Sequence, residues 1–138
     1  FGLEPRVALV SHSDFGDFDT ASTTKMRAAL HIVRQRAPQL EIDGEMQADT
    51  ALIAGIRQRK LPSSTLTGDA NLLVMPDLAS ANVAYQIVKV FGDSLPVGPI
   101  LLGTAKPAHI LTPSVTSRGV VNMSAIAVTE ALALERGQ

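Results

Sequence analysis

Short, continuous apolar runs alternate with segments of helical period along this chain, and that alternation limits the folds open to it more than any other feature. Residues 6–11 (RVALVS) and 71–75 (NLLVM) place apolar side chains on consecutive positions rather than on alternate ones. A strand with one wet face alternates, whereas a strand covered on both faces does not, and the second arrangement belongs to parallel sheets flanked by helices. Helical period follows the first run: over residues 23–36, Met26, Leu30 and Val33 share a face, Ser22 or Thr23 is placed to cap, and Pro38 ends the pattern. It returns after the second, where Asp77 or Ser80 can cap a helix carrying Ala81, Ala84, Tyr85 and Val88. The expected fold is α/β, a three-layer α/β/α arrangement with a mostly parallel sheet.

The remaining segments fit the same plan. Residues 40–46 predict a short strand; Asp43-Gly44 also admits a hairpin turn, although the helical segment that follows favours the strand alone. Asp49 is placed to cap a helix in which Leu52, Ile53 and Ile56 share a face, ending in Arg57-Gln58-Arg59-Lys60. That basic cluster suits the negative end of a helix dipole and reads as a solvated helix end. Residues 61–69 form a loop and residues 92–99 a connection. Residues 100–102 and 108–111 are two more apolar, strand-like runs, and a last helix over residues 118–135 takes its cap from Ser114, Thr116 or Ser117. In such sheets ligands gather at the carboxyl ends of the strands, so the loops after Val10, Met75, Leu102 and Leu111 are where a site is expected.

Composition excludes several classes of function. At 138 residues and 46% hydrophobic, the chain is sized for one globular lobe, residues 1–138. A net charge of -1 and 4% aromatic residues provide neither a basic patch nor a stacking platform, so no nucleic-acid partner is expected. The absence of cysteine rules out disulfides and thiolate metal sites and agrees with a cytoplasmic location. No apolar run approaches the roughly 20 residues of a membrane span, and no membrane partner is expected. A chain that opens at Phe1 and enters an apolar run almost at once reads as a piece of a longer protein.

The first loop, Ser11-His12-Ser13-Asp14-Phe15-Gly16, offers hydroxyls, backbone N–H groups and a glycine to an anion. Plain turn chemistry explains the same residues, and neither a G-x-G-x-x-G nor a P-loop pattern is present. His12 beside Asp14 lacks the G-x-S-x-G elbow of a hydrolase triad, and His31 and His109 belong to a helix and a strand pattern. Glu41, Asp43 and Glu45 alternate along one strand face, which reads as an exposed face rather than a cation site; no metal site is expected.

Four strings, VALVSHSDFG, EIDGEMQAD, ANLLVMPDLASANVAYQI and GPILLGTAKPAHILTPSVTSRGVVNMSAIAV, cover most of the chain and occur in the order of one known family. The sequence resembles the C-terminal part of the phosphate acetyl- and butyryltransferase family, and more closely the copy of it fused to bacterial hybrid NADP-dependent malic enzymes. The resemblance implies the C-terminal lobe of an isocitrate/isopropylmalate dehydrogenase-like fold, with a second α/β lobe on the N-terminal side. The helix over residues 117–136 would pack on that lobe. Active members move an acyl group between coenzyme A and phosphate in the cleft between lobes.

By the same resemblance, a Ser-Arg pair and a downstream Asp of the active transferases fall at Thr112, Pro113 and Gly119. Thr112 keeps a hydroxyl. Pro113 cannot hold phosphate as a guanidinium does, and Gly119 cannot accept the thiol proton, a role that contributes roughly 10²–10⁴-fold to rate. Arg118 stands at a variable position and is an unfavoured replacement for the missing arginine. The expected catalytic set is therefore empty, and the expected acetyl-CoA or phosphate contacts are Ser11, His12, Ser13, Gly16, Thr112, Pro113, Ser114, Thr116 and Arg118. The resemblance implies acetyl-CoA as an allosteric effector, with NADP and a divalent metal confined to a catalytic domain outside this chain. It also implies a homodimer through this lobe, helped by apolar helix faces at Val83, Ile87, Val90, Ile126 and Val128, and a higher oligomer in the parent. An active phosphate acetyltransferase and a ligand-free dimerisation domain are the alternatives.

Overall fold

The computed structural model describes residues 2–92 and 95–137, so the connection expected over residues 92–99 lies partly outside the described residues, at Asp93 and Ser94. The chain forms two compact units, Phe1–Val88 and Lys89–Gln138.

In the first unit β1 (Arg6–Val10) is the central strand of a three-stranded sheet, with β2 (Glu41–Met46) on one side and β3 (Leu72–Val74) on the other. Both pairings are parallel, Val7 lying opposite Ile42 and Leu72, so the hairpin alternative at Asp43-Gly44 is not adopted. Successive β1 side chains point to opposite faces and feed separate cores. Val7 and Leu9 pack with Ile42 against Met26 and Leu30 of α1 (Ala21–Arg36). Ala8 and Val10 pack with Met46 against Ala51, Leu61, Leu66 and Ala70 on the other face. This double coverage is why the β1 sequence is continuously apolar; each larger side chain so buried contributes roughly 1.5–3 kcal/mol.

The first two expected helices start differently from the expectation because of local hydrogen bonding. α1 is capped by Thr20, not Ser22 or Thr23: Thr20 Oγ1 accepts from the Thr23 N–H, and Thr23 Oγ1 accepts from the Thr20 N–H. The single helix expected after Asp49 is two helices, α2 (Ala48–Leu52) and α3 (Ala54–Lys60), broken at an extended Ile53. Asp69 reaches across from the following loop to accept the Ala54 N–H at 2.7 Å, which caps α3 independently of α2.

The basic end of α3 is also not simply solvated. Arg57 is 1% exposed and donates to the carbonyls of Thr50, Ala51, Leu66 and Gly68. A guanidinium has five donors in a rigid fork, and here it ties residues 61–69 to α2. Only Gln58, Arg59 and Lys60 remain exposed at that end. The first unit runs into α4 (Leu78–Phe91), where Asp77 Oδ1 accepts the Ser80 N–H at 2.8 Å.

The second unit contains α5 (Ser117–Glu135), capped by Thr116, whose Oγ1 accepts the Gly119 N–H at 3.1 Å. The strands expected at residues 100–102 and 108–111 do not form: residues 95–116 contain no helix or strand. Pro96, Pro99, Pro107 and Pro113 flank these runs and each lacks the N–H a ladder needs.

Gly44 is the tightest backbone position of the sheet. At φ +142° it occupies a region that disfavours side chains, and a Cβ there would stand 2.6 Å from the Leu9 carbonyl oxygen and 2.8 Å from Leu9 Cβ. Gly44→Ala is expected to destabilise the protein by roughly 2–4 kcal/mol, from backbone strain plus overpacking, with no relief from side-chain rotation. Urea denaturation checks this; a loss under about 0.5 kcal/mol, typical of a neutral surface substitution, contradicts it.

The α4 cap is pH-sensitive in a defined direction. The Ser80 backbone N–H, then its hydroxyl, hold the Asp77 carboxyl below its ordinary value of 3.8. A depressed folded-state pKa means that the cap stabilises above the unfolded-state value and is lost as pH falls through the folded one. Carboxyl-carbon NMR titration should place the Asp77 midpoint below 3.8. Asp77→Asn should remove the acid-side fraying of the first α4 turn, and an unshifted midpoint contradicts the reading.

Candidate functional site

In the first unit, residues 11–16 leave the carboxyl end of β1, as the parallel sheet requires. Their conformation is set by a carboxylate beneath them. Glu45, on β2, is 0% exposed, and its Oε1 accepts from Ser13 Oγ at 3.1 Å, the Gly16 N–H at 2.8 Å and Arg27 Nη1 at 3.1 Å. Ser13 is itself fully buried, and its hydroxyl oxygen accepts the Phe18 N–H, so this hydroxyl is committed inward. Phe15 takes a left-handed backbone (φ 47°) while its N–H donates to the Glu45 carbonyl at 2.8 Å.

A second acid fixes the other side of the loop. Asp14 is buried, Oδ1 accepting the Gln47 N–H at 2.8 Å and Oδ2 lying 3.3 Å from Lys60 Nζ. The His12–Asp14 neighbourhood is therefore not a catalytic dyad: Asp14 is engaged with Gln47 and Lys60. His12 is exposed, its ring 6.0 Å from that of Phe18. Of the loop residues expected to meet a ligand, His12 and Gly16 are exposed, Ser11 is half-buried and Ser13 lies underneath.

Arg27 spans the buried and exposed parts of this network. It bonds Glu45 on one side and the exposed Asp19 at 2.5 Å on the other. The Thr24 hydroxyl, then Arg27, holds the Asp19 carboxyl below its ordinary range, and the Asp19 hydrogen bond raises the Arg27 pKa. Of the three strand acids read as an exposed face, Glu41 is half-buried and the other two have the opposite environment. Asp43 is buried like Glu45, taking Arg34 and the Gly44 N–H on Oδ1 and Ser64 and Thr65 on Oδ2. Among the described residues, no three His, Asp or Glu side chains converge as metal ligands.

In the second unit, Thr112, Pro113, Ser114, Thr116 and Arg118 are exposed around the start of α5. The Val115 N–H donates to the Thr112 carbonyl at 3.0 Å, closing a turn with Pro113 at its second position, where a fixed φ is favourable. Thr112 Oγ1 and Ser114 Oγ are 3.1 Å apart. Gly119 is crowded: a Cβ there would lie 2.7 Å from Val115 Cγ2. Among the described residues Arg118 forms no ion pair. His109, expected in a strand, instead accepts the Leu101 N–H on Nδ1, and its buried Nε2 is 3.1 Å from Glu130 of α5 without aligned hydrogen-bond geometry. A cavity of about 250 Å³ between residues 101–107 and the end of α5 includes Leu102, Pro107, Glu130 and Leu134, and none of the expected contact residues lines it.

Sequence reasoning named both loops and the Thr116 cap, and missed the groups that hold the first loop, chiefly Glu45, Arg27 and Lys60. The signal was present in the string EIDGEMQAD, where acids sit inside an otherwise strand-like run.

Comparison with known proteins is consistent across sequence and structure. Residues 1–128 match the family model described as phosphate acetyl/butaryl transferase. The NAD-dependent malic enzyme of Rhizobium meliloti is 62% identical over 130 residues, which are 94% of this chain and 17% of that protein. The NADP-dependent malic enzyme of Escherichia coli is 53% identical over 132 residues, 95% of this chain and 17% of that protein. A phosphate acetyltransferase of Paracoccus denitrificans is 47% identical over 123 residues, 89% of this chain and 39% of that protein. The solved EutD phosphotransacetylase of Staphylococcus aureus superposes with a TM-score of 0.87 at 36% identity, covering 94% of this chain and 41% of that one. The chain thus spans about a sixth of the length of the malic enzymes it matches. With its parallel α/β sheet and these matches over nearly all its length, the chain belongs to the phosphate acetyl/butaryl transferase family and is homologous to the phosphotransacetylase-like domain of malic enzymes.

Proposed function

We propose that this chain is the regulatory lobe of a malic enzyme, which binds acetyl-CoA as an effector and does not transfer its acetyl group. The observation that carries the reading is the chemistry at the start of α5. Pro113 occupies a turn and Gly119 a crowded helix position, where active relatives by resemblance place a phosphate-binding arginine and a proton-accepting aspartate. Neither residue has a side chain able to do those tasks.

Binding chemistry is retained. The exposed start of α5 offers helix N–H groups, the hydroxyls of Thr112, Ser114 and Thr116, and the Arg118 guanidinium, all suited to phosphate oxygens. In the first unit His12, Ser11 and Gly16 offer a second polar loop. The parent's oxidative decarboxylation of malate to pyruvate, with NADP or NAD and a divalent metal, belongs to a domain outside this chain, in the cytoplasm. An effector changes that activity only by binding one conformational state better, typically by about 1–3 kcal/mol.

The full-length protein is expected to show no acetyl transfer between acetyl phosphate and coenzyme A in a thiol-release assay, yet to bind acetyl-CoA by calorimetry with a change in malate turnover. Arg118→Ala should weaken binding about tenfold, the value of one charge-assisted phosphate contact, and should weaken the kinetic effect in parallel. Acetyl transfer well above background favours the active-transferase alternative, and absence of binding ends the effector reading.

The lobe is also proposed to pair with a second copy. Val83, Ile87 and Val90 on α4, and Val128 on α5, are 52–74% exposed, and on each helix these are apolar side chains that water does not favour. Sedimentation of the full-length protein should give a dimer or a multiple of it at tens of micromolar, and substituting Ile87 and Val90 by Asp should lower that state. A wild-type monomer at this concentration contradicts the proposal.

A further inference from the structure

Glu45 is the least expected residue of the first unit. A carboxylate with no exposure stands at the end of a strand whose neighbours form an apolar core, and one of its oxygens, Oε2, has no hydrogen-bond partner among the described residues. Burying a carboxylate is costly unless its hydrogen bonds are worth more than apolar packing would be. All three donors to Oε1 bear on one feature: Ser13 and Gly16 are loop residues, and Arg27 lies against Gly16, 3.9 Å from where a Cβ would stand.

The sheet register shows how the side chain comes to be there. Leu9 pairs with Gly44 and Val10 with Met46, so Glu45 is the extra residue of a bulge. A bulge re-aims a side chain and ends regular pairing, and this one turns an acid toward the loop at the carboxyl end of β1. The same residue supports the loop twice, because its backbone carbonyl accepts the N–H of the left-handed Phe15. An unfavourable backbone conformation of this kind persists where its surroundings over-determine it.

We propose that Glu45 is the positioning residue of the ligand loop: the bulge delivers its carboxylate beneath residues 11–16, and the bonds to Ser13, Gly16 and Arg27 preorganise Ser11, His12 and Gly16 for an acyl-CoA. The proposal rests on the effector reading above and gives that site its rigid support. A preorganised loop binds more tightly because its ordering cost is met at folding.

The test uses the full-length protein with acetyl-CoA as probe, two readouts and a stability control. Glu45→Gln keeps the shape but removes the charge and one acceptor oxygen. Without ligand, amide exchange at Phe15 and Gly16 should accelerate about tenfold while the β1 amides stay protected, the mark of local opening. Acetyl-CoA affinity should fall about tenfold by calorimetry while the melting curve stays cooperative. Ser13→Ala should act in the same direction more weakly and add little to Glu45→Gln, because both work through one contact. If Glu45→Gln does not fold, Ser13→Ala and Arg27→Met, each removing one donor, carry the same two readouts. Unchanged loop exchange in a folded variant overturns the proposal, and so does faster exchange with undiminished affinity. If the wild type does not bind acetyl-CoA, the effector reading fails, and loop exchange alone decides whether Glu45 holds the loop.

Discussion

A carboxylate taken out of water must be met by donors, and the first unit is organised around two such groups on one strand. Asp43 and Glu45 are both buried on β2, and no donor on β2 other than the Gly44 N–H reaches them. The rest come from elsewhere: Ser64 and Thr65 for Asp43, Ser13 and Gly16 for Glu45. Each acid therefore folds a loop onto the sheet. α1 completes both sites, since Arg27 and Arg34 are two helical turns apart, on one face, and meet Glu45 and Asp43 respectively.

The opposite charge is handled differently on the other side of the sheet. Among the described residues Arg57 has no carboxylate partner and is satisfied by four backbone carbonyls from α2 and residues 66–68. Carbonyl dipoles neutralise less than an ion would, yet they bring backbone with them, so one side chain stands in for secondary structure across a loop that has none. Residues 61–69 are thus gripped from both charges, through Asp43 at Ser64–Thr65 and through Arg57 at Leu66 and Gly68, with Glu41 accepting from Thr67 between them. Removing either grip leaves a buried charge short of partners, the circumstance in which single substitutions become costly.

How much of this the sequence disclosed depended on which interactions are local. The parallel α/β plan, β1, α1 and the last helix follow from apolar spacing and nearby caps, and they stand within a few residues of the expectation. The break at Ile53 is matched by Asp69, which caps Ala54 from fifteen positions away, and no periodicity announces it. Asp43 and Glu45 were misread because alternating acids ordinarily mark a wet strand face; here the donors that make burial tolerable lie up to 32 residues distant in sequence. Arg57 was misread because a basic helix end is ordinarily solvated, whereas here α2 and residues 66–68 fold carbonyls onto it. The apolar runs at residues 100–102 and 108–111 failed otherwise: their composition suits strands, but the flanking prolines withdraw ladder donors. Both candidate loops were legible from small polar residues after apolar runs, and so was the Thr116 cap beside the second, whereas the buried acid beneath the first was not.

The start of α5 bears on the binding-only role proposed above. Restoring a carboxylate at position 119 is not a matter of one side chain, because even its first carbon would stand 2.7 Å from Val115 Cγ2. Restoring an arginine at 113 removes a proline from the second position of the turn that leads into the Thr116 cap, and with it the preset φ of that turn. The two residues absent under the proposed reading have therefore been replaced by residues that serve local structure, packing in one case and turn geometry in the other. A lobe that recovered transfer chemistry would have to repack Val115 and reform the turn at the same time. One that only binds can keep the hydroxyls, the helix N–H groups and Arg118, since none of these depends on the missing pair.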